Sequence, residues 1–232
     1  MVLELGGSDP YIVLEDADVE KAARLCVESR LQNSGQTCIA AKRFIVHESL
    51  YEDFKTLVIK FCEEKKYGDP LSEKTEIGPL SSLKLAEELR LQVKKTVEAG
   101  AALVYEKKTE GLPKTFFPVT ILENLPLSSP AYNEELFGPV FSLFKFKDLD
   151  EACALANDSE FGLGAAVFSK NIENGEKIVE HKIEAGSCAV NSYVKSDFEM
   201  PFGGVKNSGV GRELAAYGMH EFVNIKSLVV CS

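Results

Sequence analysis

Apolar residues recur along this chain at two different spacings, and the alternation of the two sets out a run of elements. Over residues 16–30, Ala17, Val19, Ala22, Ala23, Cys26 and Val27 fall at helical spacing behind an acidic start, which predicts a helix. Residues 43–47 read as a short strand. Leu50, Phe54, Leu57, Val58 and Phe61 give an amphipathic helix over 49–66, stopped by Gly68-Asp69-Pro70. A further helix is predicted over 82–99, with Gly100 as its closing glycine. Strands then follow at 102–105, 118–122, 140–146, 165–169 and 188–191, with helices at 148–156 and 172–183 between them. The runs Ala165-Ala166-Val167-Phe168 and Cys188-Ala189-Val190 are apolar without alternation, as strands buried on both faces of a parallel sheet are. Together they predict an α/β fold: an open, mostly parallel sheet with helices on both faces. A last helix over 212–222 leads to an apolar strand at 225–231, which needs a partner in the sheet or in another subunit.

Composition narrows the class. The 232 residues are enough for one large domain or two small ones. With 45% hydrophobic and 27% charged residues, disordered and fibrous classes are excluded. A net charge of −10 repels a phosphate backbone or an anionic membrane on average, so neither nucleic acid nor membrane is expected as a partner. No apolar run approaches the ~18–20 residues of a membrane span, and residues 1–7 lack the features of a signal peptide. A cytoplasmic protein is the expectation. The six cysteines, at 26, 38, 62, 153, 188 and 231, contain no C-x-x-C pair, and only three histidines accompany them. No metal site is therefore expected. Cys26, Cys62, Cys153 and Cys188 read as reduced thiols at core positions, and Cys231 as part of the tail.

Four short motifs stand out as candidate chemistry. Glu4-Leu5-Gly6-Gly7 places a carboxylate ahead of two glycines, where it can serve as a general base at a turn. A solvated glutamate ahead of a loop is the more ordinary reading of that motif alone. Cys38 ends the polar turn Asn33-Ser34-Gly35-Gln36-Thr37, where backbone N–H groups can lower a thiol pKa and hold an oxyanion. Lys42 and Arg43 are candidates for positive potential beside it, although a cysteine in such a turn is more often structural. Glu134-Glu135-Leu136-Phe137-Gly138-Pro139 joins carboxylates and a ring to a turn before a strand, suited to a ribose diol and a flat ligand, or to an ordinary charged loop. The glycine-rich stretch from Pro201-Phe202-Gly203-Gly204 to Gly211 lacks G-x-G-x-x-G spacing and reads as a packing loop lining a cavity.

Taken in order, these motifs resemble the aldehyde dehydrogenase superfamily across essentially the whole chain, with Glu4 and Cys38 34 positions apart as in that family. Ser8-Asp9-Pro10, Val194-Lys195-Ser196-Asp197 and Glu221-Phe222-Val223-Asn224-Ile225-Lys226 are most similar to the bacterial succinate-semialdehyde dehydrogenases. Gln32 departs from that pattern, since some of those enzymes carry an arginine six residues before the cysteine. The resemblance implies the aldehyde dehydrogenase catalytic-domain fold and oxidation of a small aldehyde, succinate semialdehyde in the first place, with NAD or NADP. Cys38 would be the nucleophile, forming a thiohemiacetal and then a thioester, and Glu4 would activate the hydrolytic water. Glu135, Phe137 and Leu5 would face the cofactor, and Phe202, Ser196 and Lys195 the substrate.

Family members run to about twice this length. The resemblance therefore implies a catalytic domain over 1–218 and a tail strand over 219–232 for interdomain or oligomer pairing, without the N-terminal cofactor domain. It also implies an exposed apolar surface, a homo-oligomer or self-association, and weak or no activity of this chain alone. Two rival functions remain at this stage: a cofactor-independent thiol-ester hydrolase, and a catalytically silent interaction module.

Overall fold

Four helices begin at a short polar side chain that closes their first turn: Asp18 accepts from the Lys21 N–H, Ser82 from Leu85, Asp148 from Glu151 and Asn171 from Asn174. Each such cap satisfies a backbone donor that the helix itself leaves open. In the computed structural model, which describes residues 1–231, the elements run in order β1 (Leu3–Glu4), β2 (Pro10–Val13), α1 (Val19–Leu31), β3 (Arg43–His47), α2 (Tyr51–Glu64), α3 (Leu83–Glu98), β4 (Ala102–Glu106), β5 (Thr120–Glu123), α4 (Pro130–Asn133), β6 (Val140–Phe146), α5 (Leu149–Asn157), β7 (Phe161–Gly162), β8 (Gly164–Phe168), α6 (Ile172–His181), β9 (Ser187–Val190), β10 (Val205–Lys206), β11 (Gly209–Val210) and α7 (Ala215–His220).

Seven strands form the central sheet in the order β4-β5-β6-β3-β2-β8-β9. Only β4 is antiparallel to its neighbour. Successive residues of a strand point to opposite faces, and both faces are covered. Tyr11, Val13, Phe44 and Phe141 meet α1 and α2 through Ala22, Cys26, Phe54 and Val58. Ile12, Ile45 and Val167 meet α5 and α6 through Ala152, Ala156 and Ile178. That double covering is why the central strands read as unbroken apolar runs. The Phe44 and Phe141 rings stack at 5.1 Å across neighbouring strands, a contact that adds to their burial.

Most of the predicted elements form within a few residues of their expected ends. The central strand β2 is an addition. Four residues long and opened by Pro10, it offers too short an apolar run to be noticed, and Pro is tolerated only because it stands first in the strand. The helix expected over 212–222 shrinks to α7, because Leu214 has φ 62° and stands outside helical geometry. The strand expected over 225–231 does not form: these residues have no regular structure and are exposed. A strand exists only with a hydrogen-bonded neighbour, and none is offered among the described residues. Ser232, the last residue of the predicted tail, lies outside them. Cys188 is likewise corrected from core to surface. It is exposed on β9, the last strand of the sheet, whereas Cys26, Cys62 and Cys153 are buried.

Candidate active site

The turn after α1 is built to present one side chain. Asn33, Ser34 and Gly35 have φ of 50°, 59° and 80°, three left-handed residues in succession. A β-carbon on Gly35 would overlap the Gly138 carbonyl, so the approach of these two loops requires glycine. Arg30, fully buried at the end of α1, donates to the carbonyls of Gly35 and Leu136 and ties the same two loops together. Ser34 Oγ accepts from the Gly78 N–H at 2.9 Å, and Gln36 Oε1 from the Ser81 N–H at 2.7 Å. The loop is thereby fixed on three sides before it reaches Cys38.

Cys38 is partly exposed, and the Ile39 N–H lies close enough to favour its anionic form. Lys42 lies beneath, only 2% exposed. Its ammonium donates to the Cys38 carbonyl at 2.7 Å and the Thr37 carbonyl at 3.2 Å, and stands 3.1 Å from Glu135 Oε1. The thiol pKa is nevertheless raised, because partial burial outweighs the opposing pull of Lys42 and the Ile39 N–H, while Asp9 and Glu135 add to the rise. The sequence expectation of a lowered thiol pKa is thus corrected. The turn does supply a donor, but desolvation of the thiolate is the larger effect. Arg43 is corrected too. It turns away from the sulfur and donates to the carbonyls of Ser8, Leu155 and Ala156 at 2.7–2.8 Å, securing the end of α5.

Asp9, which motif reading passed over as a candidate, stands within this charge cluster. Its backbone carbonyl accepts from both Lys42 and Arg43 N–H groups, and its Oδ1 from the Gly164 N–H. Complete burial pushes its carboxyl up to about 6, against the pull of Lys42 and Arg43. The signal for such residues was present as charge inside apolar sequence: Arg30 ends an apolar helix face, and Lys42-Arg43 interrupt Ala40-Ala41 and Phe44-Ile45.

Glu4 belongs to β1, which pairs with β11 through Leu3–Val210 and Glu4–Gly209. Both of its carboxylate oxygens are buried without a hydrogen-bond partner. Its pKa is raised, first by desolvation and then by Glu213, with Arg212 opposing. Gly203 comes so near that a β-carbon there would stand 2.9 Å from Oε1. Gly7, three residues on, brings the same segment against the Cys38 carbonyl, where its own β-carbon would approach to 3.0 Å. One short stretch therefore links the base candidate to the thiol loop.

The remaining candidates separate into two groups. Glu135 approaches Gly6, where any β-carbon would run into its Oε2. Phe137 is partly open to solvent and lines, with Glu135 and Gln92, a cleft of about 380 Å³ against α3. Leu5 is half exposed. Phe202 is buried in the main core, and its backbone pairs with Glu213. Its ring thus belongs to the core and offers little surface of its own. Lys195 and Ser196 are exposed on an irregular segment, with the Lys195 ammonium 4.5 Å above the Tyr193 ring.

Ligands of open α/β sheets generally gather at the carboxyl ends of the strands. Here a cleft of about 530 Å³ does occupy that end, lined by Glu15, His47, Phe146, Asp148 and Asn171 among others. The thiol loop, Asp9 and the 134–139 loop instead precede β3, β2 and β6 and so meet at the amino ends. Among the described residues there is no group of three or more side chains suited to a metal, and no helix long and apolar enough to cross a membrane.

The aldehyde dehydrogenase family model matches residues 1–228. The chain belongs to the aldehyde dehydrogenase family. Among its relatives, a Synechocystis protein named as a probable NADP(+) succinate-semialdehyde dehydrogenase is 47% identical, over 98% of this chain and 50% of that protein. An Escherichia coli NAD(P)+ succinate semialdehyde dehydrogenase is 43% identical, over 98% of this chain and 49% of its own length. The crystal structure of succinic semialdehyde dehydrogenase from Streptococcus pyogenes with NADP+ superposes with a TM-score of 0.95 at 40% identity, covering 100% of this chain and 50% of that one. The chain thus spans about half the length of the curated relatives it matches, and it has the fold expected of the aldehyde dehydrogenase family.

Proposed function

We propose that this chain provides the nucleophile and base for NAD(P)-dependent oxidation of an aldehyde, succinate semialdehyde foremost, to the carboxylic acid. The observation that supports this most is the Cys38 loop: a partly exposed thiol, a buried cation at its carbonyl, and Glu135 paired with the same cation. Cys38 as thiolate attacks the aldehyde carbon, and its surrounding N–H groups take up charge on the oxygen. Glu4, held above the ordinary carboxylate range yet ionised at higher pH, removes a proton from the water that cleaves the resulting thioester.

Glu135 and Phe137 fit the nicotinamide end of a cofactor. The carboxylate borders a β-carbon-free surface at Gly6, and the ring lines the adjoining cleft. When bound, the nicotinamide supplies the hydride acceptor. Lys195 and Ser196 are the proposed contacts for a substrate carboxylate, an assignment supported by their exposure and chemistry and by the names of the relatives. Activity of this chain by itself is expected to be weak, since these contacts serve one end of the cofactor only. Its free thiols suit a reducing, cytoplasm-like compartment.

The test is NAD(P)H formation by the purified protein with succinate semialdehyde, using NAD+ and NADP+ in turn. Slow, aldehyde-dependent formation is expected, with a poorer response to an aldehyde of similar size that lacks the carboxylate. NAD(P)H formation that is undiminished when Cys38 is alkylated would overturn this reading.

Self-association accompanies this proposal. Phe198, Tyr217, Phe222, Ile225, Leu228 and Val230 are largely exposed in one stretch of sequence, more apolar side chain than a solitary surface usually shows. Sedimentation velocity is expected to show oligomers that shift towards monomer when residues 223–232 are deleted. A wild-type monomer at micromolar concentration would refute this.

A further inference from the structure

The lysine beneath the thiol is placed unlike any other in the chain. Lys42 is the only lysine that is 2% exposed or less among the described residues, and an ammonium so deeply buried is costly unless its three donors and its charge are answered. The choice of partners is informative. Two donors go to carbonyls of the thiol loop, Thr37 and Cys38 itself. The charge is answered by Glu135 Oε1, 3.1 Å away on the loop before β6. Two further charges face the group: Asp9 from the segment before β2, and Arg30 from the end of α1. A lysine serving stability alone could be answered by any buried acceptor. This one gives its hydrogen bonds to the nucleophile's own loop and pairs its charge with the carboxylate that borders the proposed cofactor cleft.

We propose that Lys42 is a positioning residue for Cys38: its ammonium fixes the carbonyl of the cysteine and brings positive charge to the sulfur, while Glu135 determines how much of that charge the sulfur feels. Two consequences follow, and they have opposite signs. Loss of the Lys42 charge disfavours the thiolate, since a cation near the sulfur stabilises the anionic form. Loss of the Glu135 charge favours the thiolate, because Lys42 is then left less neutralised and the direct repulsion from Glu135 is gone. A packing role could not produce that pair of signs, for disruption of the loop acts on the sulfur in the same sense whichever partner is removed.

The inference depends on Cys38 being reactive but not on aldehyde oxidation, so its test reads the thiol alone. The rate of iodoacetamide alkylation at Cys38 is followed by peptide-resolved mass spectrometry across the pH range, in the wild type, Lys42→Met and Glu135→Gln. Peptide resolution separates Cys38 from the exposed Cys188 and Cys231. In Lys42→Met the pH midpoint is expected to rise by about one unit, which lowers the rate about tenfold at any pH below both midpoints. In Glu135→Gln the midpoint is expected to fall, and the rate at the same pH to rise several-fold. Unmoved midpoints, or midpoints that move in the same direction, would overturn the proposal. Should Lys42→Met fail to fold by near-UV circular dichroism, Lys42→Gln, which removes the charge but keeps a polar end, is read in its place: a raised midpoint supports the proposal, and no change or a fall overturns it.

Discussion

Cys38→Ser is expected to remove aldehyde-dependent NAD(P)H formation, with a loss of about 10³-fold or more, while leaving the fold intact. The two side chains are nearly isosteric, and the loop is held by groups other than the sulfur: Arg30 on the Gly35 carbonyl, Ser34 on Gly78, and Lys42 on the Cys38 carbonyl. Stability measured by urea unfolding should therefore barely change. Reactivity should change greatly, because an alcohol lacks the accessible anionic form that makes a cysteine nucleophilic. Ester hydrolysis, assayed with an activated acetate ester, should disappear in the same variant. Retention of either activity at more than a tenth of the wild-type rate would place the nucleophile elsewhere.

The second large effect concerns Glu4. In Glu4→Gln, acylation of Cys38 should survive while hydrolysis of the thioester falls about 10²–10⁴-fold, the usual contribution of a positioned base. The assay should then show NAD(P)H formed to one equivalent of protein and little thereafter, with the acyl group found on the Cys38 peptide by mass spectrometry. The wild-type pH profile carries the same signature. Glu4 must be ionised to accept a proton, and burial together with Glu213 raises its pKa. The rate should thus decline as pH falls through a value above that of an ordinary glutamate. Removing the neighbouring negative charge in Glu213→Gln lowers the Glu4 pKa and should shift this acid limb to lower pH. An acid limb that does not move, or a Glu4→Gln protein that continues to turn over, would assign the base to another group.

These predictions concern residues that short motifs made visible, and the reason lies in local backbone chemistry. The Asn33-Ser34-Gly35 turn, the paired glycines after Glu4, and the Gly138-Pro139 turn each need particular residue types to take their conformation. They leave a trace in sequence wherever they occur. Helix starts are equally local, since Asp18, Ser82 and Asp148 each close a first turn only three residues on.

What proximity decides has no such trace. That Lys42 reaches Glu135, about ninety positions away in sequence, follows from β3 and β6 lying side by side in parallel with both preceding loops at the same end. The sign of the Cys38 shift depended on desolvation, a property of everything packed around the sulfur. Arg43 faced away from the thiol because the carbonyls of α5 were within its reach. The terminal segment shows the same limit from the other side. Its apolar run satisfied the local requirement for a strand, but a strand is a relation between two backbones, and the described residues offer it no second one. By itself the sequence determined the α/β class and the order of most elements, and it singled out Cys38 and Glu4 as the candidate thiol and base. Only the tertiary structure decided which charges surround them and with what sign, because electrostatic energy depends on distance and burial, and neither is a property of position along the chain.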